Sequence, residues 1–189
     1  MKSILFTAAA ACLIASTAHA NDAKFEYYSS NPTNKTLPKS TTFKTEFTNS
    51  LSNTLNYQIE TLINQNDNKG AVYGSVAGKI STSIKANDFI TVKPLIEVGE
   101  NFGGSAAKTG QFYGVESKAT VKTPVEGLTL STGYRVRKGL GSVIGQDVNR
   151  AEVNSEYIVN KNYVLGVVYY KNSGDTEGNA LGIYTKVKF

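Results

Sequence analysis

From about residue 24 onward, apolar and polar residues alternate with a period of two rather than 3.6. That period places successive side chains on opposite faces of a β-strand. Clusters of Asn, Gly, Ser, Asp and Pro cut the pattern into ten segments, at 24–30, 41–51, 54–65, 71–85, 89–99, 110–122, 127–138, 149–159, 162–172 and 179–189. No segment has the long unbroken apolar run of a transmembrane helix.

The connections sort into two kinds. Those at Ser52-Asn53, Ala86-Asn87-Asp88, Pro124-Val125-Glu126 and Asn160-Lys161 are tight. Those at Asn31–Lys39, Asn66–Gly70, Glu100–Thr109, Gly139–Val148 and Ser173–Gly178 are longer, polar or Gly-rich. Tight turns on one side and long loops on the other predict an up-and-down antiparallel array that meanders between two ends. Ten is even, so both ends of the array fall on the tight-turn side. Pro94 stands mid-segment and cannot donate to a ladder, so a bulge is expected there.

Parity divides the side chains into two sets. One holds Phe43 and Phe47, Leu55, Tyr57, Ile59 and Ile63, Val76 and Ile80, Ile90, Val92, Ile96 and Val98, Tyr113 and Val115, Leu130, Tyr134 and Val136, Val153 and Tyr157, and Leu181, Ile183, Val187 and Phe189. No charge falls among these mid-segment positions. The other set carries eleven basic residues (Lys44, Lys79, Lys85, Lys93, Lys118, Lys122, Arg135, Arg137, Arg150, Lys186 and Lys188) and seven acidic ones (Glu26, Glu46, Glu60, Glu97, Glu116, Glu152 and Glu156). The segment 162–172 is apolar on both parities and is not oriented by its pattern. Periodicity alone fits two solutions: a soluble barrel with its apolar set inward, or a barrel in lipid with that set outward.

The start of the chain weighs on the choice. Met1-Lys2-Ser3 is a short basic region, Ile4–Ala15 is apolar or small, and Ala18-His19-Ala20 has the A-x-A form of a cleavage site. Residues 1–20 read as a secretory signal peptide and 21–189 as the barrel. The chain has one Cys and one His. They are Cys12 and His19, so both leave with the signal. Without imidazole or thiol, Ser-His-Asp, Cys-His and His-based zinc sites are excluded. An enzyme working with carboxylates, Lys or Tyr alone stays open, but no catalytic residue, metal or other cofactor is expected.

The last segment, Leu181 to Phe189, alternates and finishes on an aromatic. It resembles the C-terminal assembly signal of the Gram-negative outer-membrane β-barrels. That resemblance implies an all-β, transmembrane, antiparallel up-and-down β-barrel of about ten strands, with eight and twelve as neighbouring counts. It places the chain in the cell outer membrane, with outer-membrane lipid around it and the barrel assembly machinery as a partner through Phe189. The enzymes known among small outer-membrane barrels use a His, which the mature chain lacks.

Two further stretches, Thr42-Phe43-Lys44-Thr45-Glu46-Phe47 with Tyr57 and Glu60, and Tyr134–Arg137 with Arg150-x-Glu152, resemble the small monomeric porins for acidic oligosaccharides. That family implies a monomer of twelve strands with a basic lumen; ten are counted here. On that reading the charged parity set lines a pore, with Arg135, Arg137, Arg150, Lys93, Lys118, Lys186, Glu116 and Glu152 along it. Small anionic solutes or oligosaccharides would be its cargo, and nucleic acid would not be a partner. The other reading of the arginines is structural: they pair with Glu116, Glu152 and Glu156 and pack the interior. In that case the barrel does not conduct and acts through its loops as an adhesin, receptor or structural protein. Tyr184 is placed to stack on a sugar ring.

The leader reading is checked directly. N-terminal sequencing of protein recovered from outer-membrane fractions is expected to begin at Asn21; recovery with residues 1–20 still attached would contradict it.

Overall fold

A computed structural model describes residues 21–34, 39–66, 72–103, 110–140 and 147–189. These residues form strands and turns and no helix. Ten strands run in sequence: β1 (Asp22–Pro32), β2 (Ser40–Ser50), β3 (Leu55–Asn66), β4 (Val72–Thr82, continued by Ile84–Lys85), β5 (Ile90–Gly103), β6 (Gly110–Lys122), β7 (Leu128–Gly139), β8 (Val148–Ile158), β9 (Tyr163–Gly174) and β10 (Gly178–Lys188). Each pairs antiparallel with its neighbours in the chain, and β1 pairs with β10 from Asp22↔Lys188 to Pro32↔Gly178. The sheet is therefore a closed barrel with no free edge.

The first strand is longer than its alternation suggests and closes the barrel over its full length. At the other end β9 and β10 also run further than expected, so only residues 175–177 connect them. The expected long loop at Ser173–Gly178 is thus a tight turn. Gly174 makes it tight: its φ is +96°, a left-handed conformation that a side chain disfavours. Of the other longer connections, residues 35–38, 67–71, 104–109 and 141–146 lie outside the described residues. At that rim Asp147 accepts hydrogen bonds from Lys138 Nζ (2.6 Å) and the Gly139 amide (3.0 Å), and the bond from Lys138 holds its carboxyl below the usual aspartate range.

The opposite end is built from side-chain-capped turns. Asn87 Oδ1 accepts from the amides of Phe89 and Ile90, and Asn160 Oδ1 from those of Asn162 and Tyr163. Pro94 produces no bulge. The register between β4 and β5 is unchanged across it, from Ser81↔Leu95 to Ile84↔Val92. The ladder is interrupted only where the missing amide of proline leaves a donor absent, and β4 pauses at Ser83.

The faces follow the sequence parity. Ile96, Val98, Leu181 and Ile183 point outward and are each about three-fifths exposed. With Val115, Leu130, Tyr134, Val153, Leu165 and Val167 they form a continuous apolar belt. A soluble protein does not sustain an apolar surface of this extent. Strand β9 is oriented by the closed register: Val164, Val168 and Tyr170 are buried inside, while Leu165, Val167 and Tyr169 are exposed outside. The outward charges Glu100, Lys138 and Lys171 stand towards the loop end of their strands, away from the middle of the belt.

A charge placed in the middle of this belt should be costly. Ile183→Arg is expected to lower the unfolding free energy in bilayers by about 2–4 kcal/mol, read from the folded and unfolded bands in a urea titration. A change near zero would contradict an outward, lipid-facing Ile183.

Candidate functional site

Inward positions collect the charge. All eight residues that the sequence assigns to the lumen (Arg135, Arg137, Arg150, Lys93, Lys118, Lys186, Glu116 and Glu152) share the inward parity of their strands, along with Lys24, Lys44 and Lys79. Lys85 lies beyond the break at Ser83 and is exposed at the turn. The interior divides into two halves of different character.

The half towards the long loops is filled. Tyr28, Phe112 and Tyr170 are buried in it. Arg137 lies over the Phe112 ring at 3.9 Å and forms a bidentate pair with Glu97, with Nε to Oε1 at 2.9 Å and Nη2 to Oε2 at 3.1 Å. Arg150 stacks on Tyr170 at 4.5 Å and donates to Asn172 Oδ1 at 2.9 Å. Arg135 and Arg150 are direct register partners, so the two neighbouring strands do bring their guanidiniums to one level.

A layer of ion pairs crosses the barrel below this. Glu26, fully buried, takes Lys24 at 2.7 Å, Lys44 at 3.0 Å and the Tyr170 hydroxyl at 2.5 Å. Glu60 takes Lys79 at 2.5 Å, and Lys79 also reaches Glu46 at 3.3 Å. Arg135 comes only to 3.8 Å from Glu97 and 4.0 Å from Glu60. The partners of Arg135 and Arg137 are therefore Glu97 and Glu60, not Glu116, Glu152 and Glu156. The register explains the difference: Glu97 lies across Gly114, which has no side chain to block the reach from Arg137. Glu152 and Glu156 are occupied by Lys118 (2.8 Å) and Lys186 (2.5 Å). Lys118 likewise reaches Glu152 over a glycine, Gly133.

The half towards the tight turns is open. A cavity of about 370 Å³ reaches from the strand ends at Asp22, Thr129, Ile158 and Lys188 up to Glu60, Arg135, Arg150 and Tyr170. Lys93, Glu116, Lys118, Glu152 and Lys186 line it. Tyr184 does not present a stacking face here. Its hydroxyl donates to Glu156 at 2.8 Å, Lys24 sits 3.9 Å over its ring, and the ring occupies the space that Gly166 leaves. Sequence reasoning missed the inward Lys24 and Asp22, and the aromatic filling by Tyr28, Phe112 and Tyr170. The parity of Lys24 and Tyr28 with Glu26 was a usable signal. Phe112 shares the parity of Glu116 and Lys118 in the same way.

No protein-family model matches the chain, and no curated protein sequence matches it. Solved structures do. An outer-membrane channel from Pseudomonas putida F1 is 9% identical, with a TM-score of 0.58 over 90% of this chain and 96% of that one. The KdgM porin is 9% identical, with a TM-score of 0.51, and the NanC porin 13% identical, with a TM-score of 0.50. Each of these two alignments covers 89% of this chain and 99% of the porin.

The chain has the fold of the outer-membrane β-barrels.

At such identities the likeness is one of fold. With closure, an apolar outside and a charged inside, that fold belongs in the outer membrane. An outer-membrane barrel of this kind carries its chemistry in the lumen and at the rims.

The ion layer yields a stability test. Glu26→Gln leaves Lys24 and Lys44 buried without their shared carboxylate, and a broken buried pair costs about 3–5 kcal/mol. Lys24→Gln added to it should recover part of that loss in urea titrations of the folded barrel. Simple additivity of the two substitutions would contradict the pairing.

Proposed function

We propose that the protein is a small monomeric porin that lets small hydrophilic solutes, preferentially anions, diffuse across the outer membrane. The observation that carries this reading is the cavity of about 370 Å³ whose wall includes Lys93, Lys118, Lys186 and Arg135. A ring of fixed cations in a low-dielectric shell lowers the barrier for anions and raises it for cations. Arg135 and Arg150 stand at the top of this cavity, Arg137 lies one inward position beyond Arg135, and Glu60 and Glu97 limit their net field. Glu116 and Glu152 moderate the wall lower down. The likeness of fold to the KdgM and NanC porins supports the general role, and acidic solutes suit guanidinium and ammonium donors. No chemical step on the solute is part of this reading. Assembly through the outward-facing Phe189 and removal of residues 1–20 belong to the same proposal.

One observation favours a second reading. The half towards the long loops is packed by Tyr28, Phe112, Tyr170, Arg137 and Arg150. A barrel filled in this way would not conduct and would act through its loops. The two readings separate in a planar bilayer. The porin predicts small, stable channels with an anion-selective reversal potential in a salt gradient, shifted towards cations by Lys93→Glu and Lys186→Glu. Insertion without conductance would overturn it in favour of the filled barrel.

A further inference from the structure

The wall made by β5, β6 and β7 in the open half has three cations that the protein does not fully use. Lys93 and Lys118 are direct cross-strand partners. Like charges at such a distance repel. Lys118 is taken by Glu152, whereas Lys93 makes no ion pair within 4.0 Å among the described residues. Arg135 stands on the next strand, opposite Glu116 and one inward step from the level of Lys118. It is 6% exposed, yet its guanidinium makes no hydrogen bond among the described residues and its buried Nε has no acceptor. Arg137 takes both oxygens of Glu97 and Lys79 holds Oε2 of Glu60 at 2.5 Å, while Arg135 stays 3.8 Å from Glu97 and 4.0 Å from Glu60 Oε1, an oxygen that likewise has no hydrogen bond among the described residues. A buried guanidinium with an empty donor is costly unless something accepts from it.

We infer that Lys93, Lys118 and Arg135, with the paired hydroxyls of Thr120 and Ser131 below them, form a binding site for a compact doubly charged oxyanion of phosphate size. All five line the same cavity, and the two hydroxyls lie 3.1 Å apart, with either able to donate. A tetrahedral oxyanion carries several acceptors in different directions, which matches donors spread over three strands. A monovalent ion offsets only one of the three positive charges. Glu116 is the one carboxylate on this wall with no cation within 4.0 Å among the described residues, and it opposes Arg135. It weakens the site rather than building it. The inference rests on the basic-lumen reading for its charge but not on conduction, since a barrel that passes no current can still hold the anion.

The test is calorimetric titration of inorganic phosphate into the refolded full mature chain in detergent, in a constant chloride background. Gel mobility before and after heating confirms that each variant is folded. Saturable phosphate binding is expected, with acetate much weaker. Lys93→Gln should weaken it about tenfold, the loss of one charge-assisted hydrogen bond. Glu116→Gln should tighten it, a sign that a purely structural role does not produce. Lys171→Gln, on the outer face, should leave it unchanged. Absence of saturable binding by the folded chain would overturn the site, as would equal losses in Lys93→Gln and Lys171→Gln. Phosphate binding without bilayer conductance would keep the site and remove the porin; conductance without phosphate binding would do the reverse.

Discussion

Three buried carboxylates, Glu26, Glu60 and Glu97, hold the interior together. Lys24, Lys44, Lys79, Arg135 and Arg137 converge on them from β1, β2, β4 and β7. The outside offers these cations no alternative, because a charge on the lipid face near the midplane is disfavoured by several kcal/mol. Closure of β1 on β10 is what makes an inside available to every strand. The ion layer is then both a consequence of closure and a cross-brace that ties strands far apart in the chain.

The same layer divides the lumen. Above it, long side chains stack on aromatic rings and fill the space. Below it, Lys118 and Lys186 bend onto Glu152 and Glu156 along the wall, and a cavity remains. Glycines decide where the bending is possible. Gly114 and Gly133 leave room for Arg137 and Lys118 to cross one strand, and Gly166 makes room for the Tyr184 ring. Mechanical bracing therefore draws on the same charged set that borders the cavity, and the unused donors of Arg135 mark where bracing stops.

Much of this was legible in the alternation. Strand number, the two faces and the inward position of all eight lumen residues follow from a period of two and the sorting of turn signals. What was not legible depends on register. Arg137 reaches Glu97, forty positions away, through contacts that no local pattern encodes. β9 could not be oriented because its lumen side, with Val164, Val168 and Tyr170, is as apolar as its outer side. Pro94 reads locally as a bulge, yet the ladder tolerates it by dropping a pair. The short turn at 175–177 was hidden because Gly174, read as loop, is the end of a strand.

The central claim is a lumen open at the tight-turn end and filled towards the loops. Residues 21–189 contain no cysteine, so single cysteines introduced in a barrel of those residues report access cleanly. The measurement is the reaction of a charged, membrane-impermeant thiol reagent with Thr129→Cys and Ala180→Cys in the refolded barrel. The account predicts ready labelling at Thr129→Cys, in the cavity wall, and protection at Ala180→Cys, in the filled half. Equal labelling at both positions would contradict the filled half, and protection at both would contradict the open one.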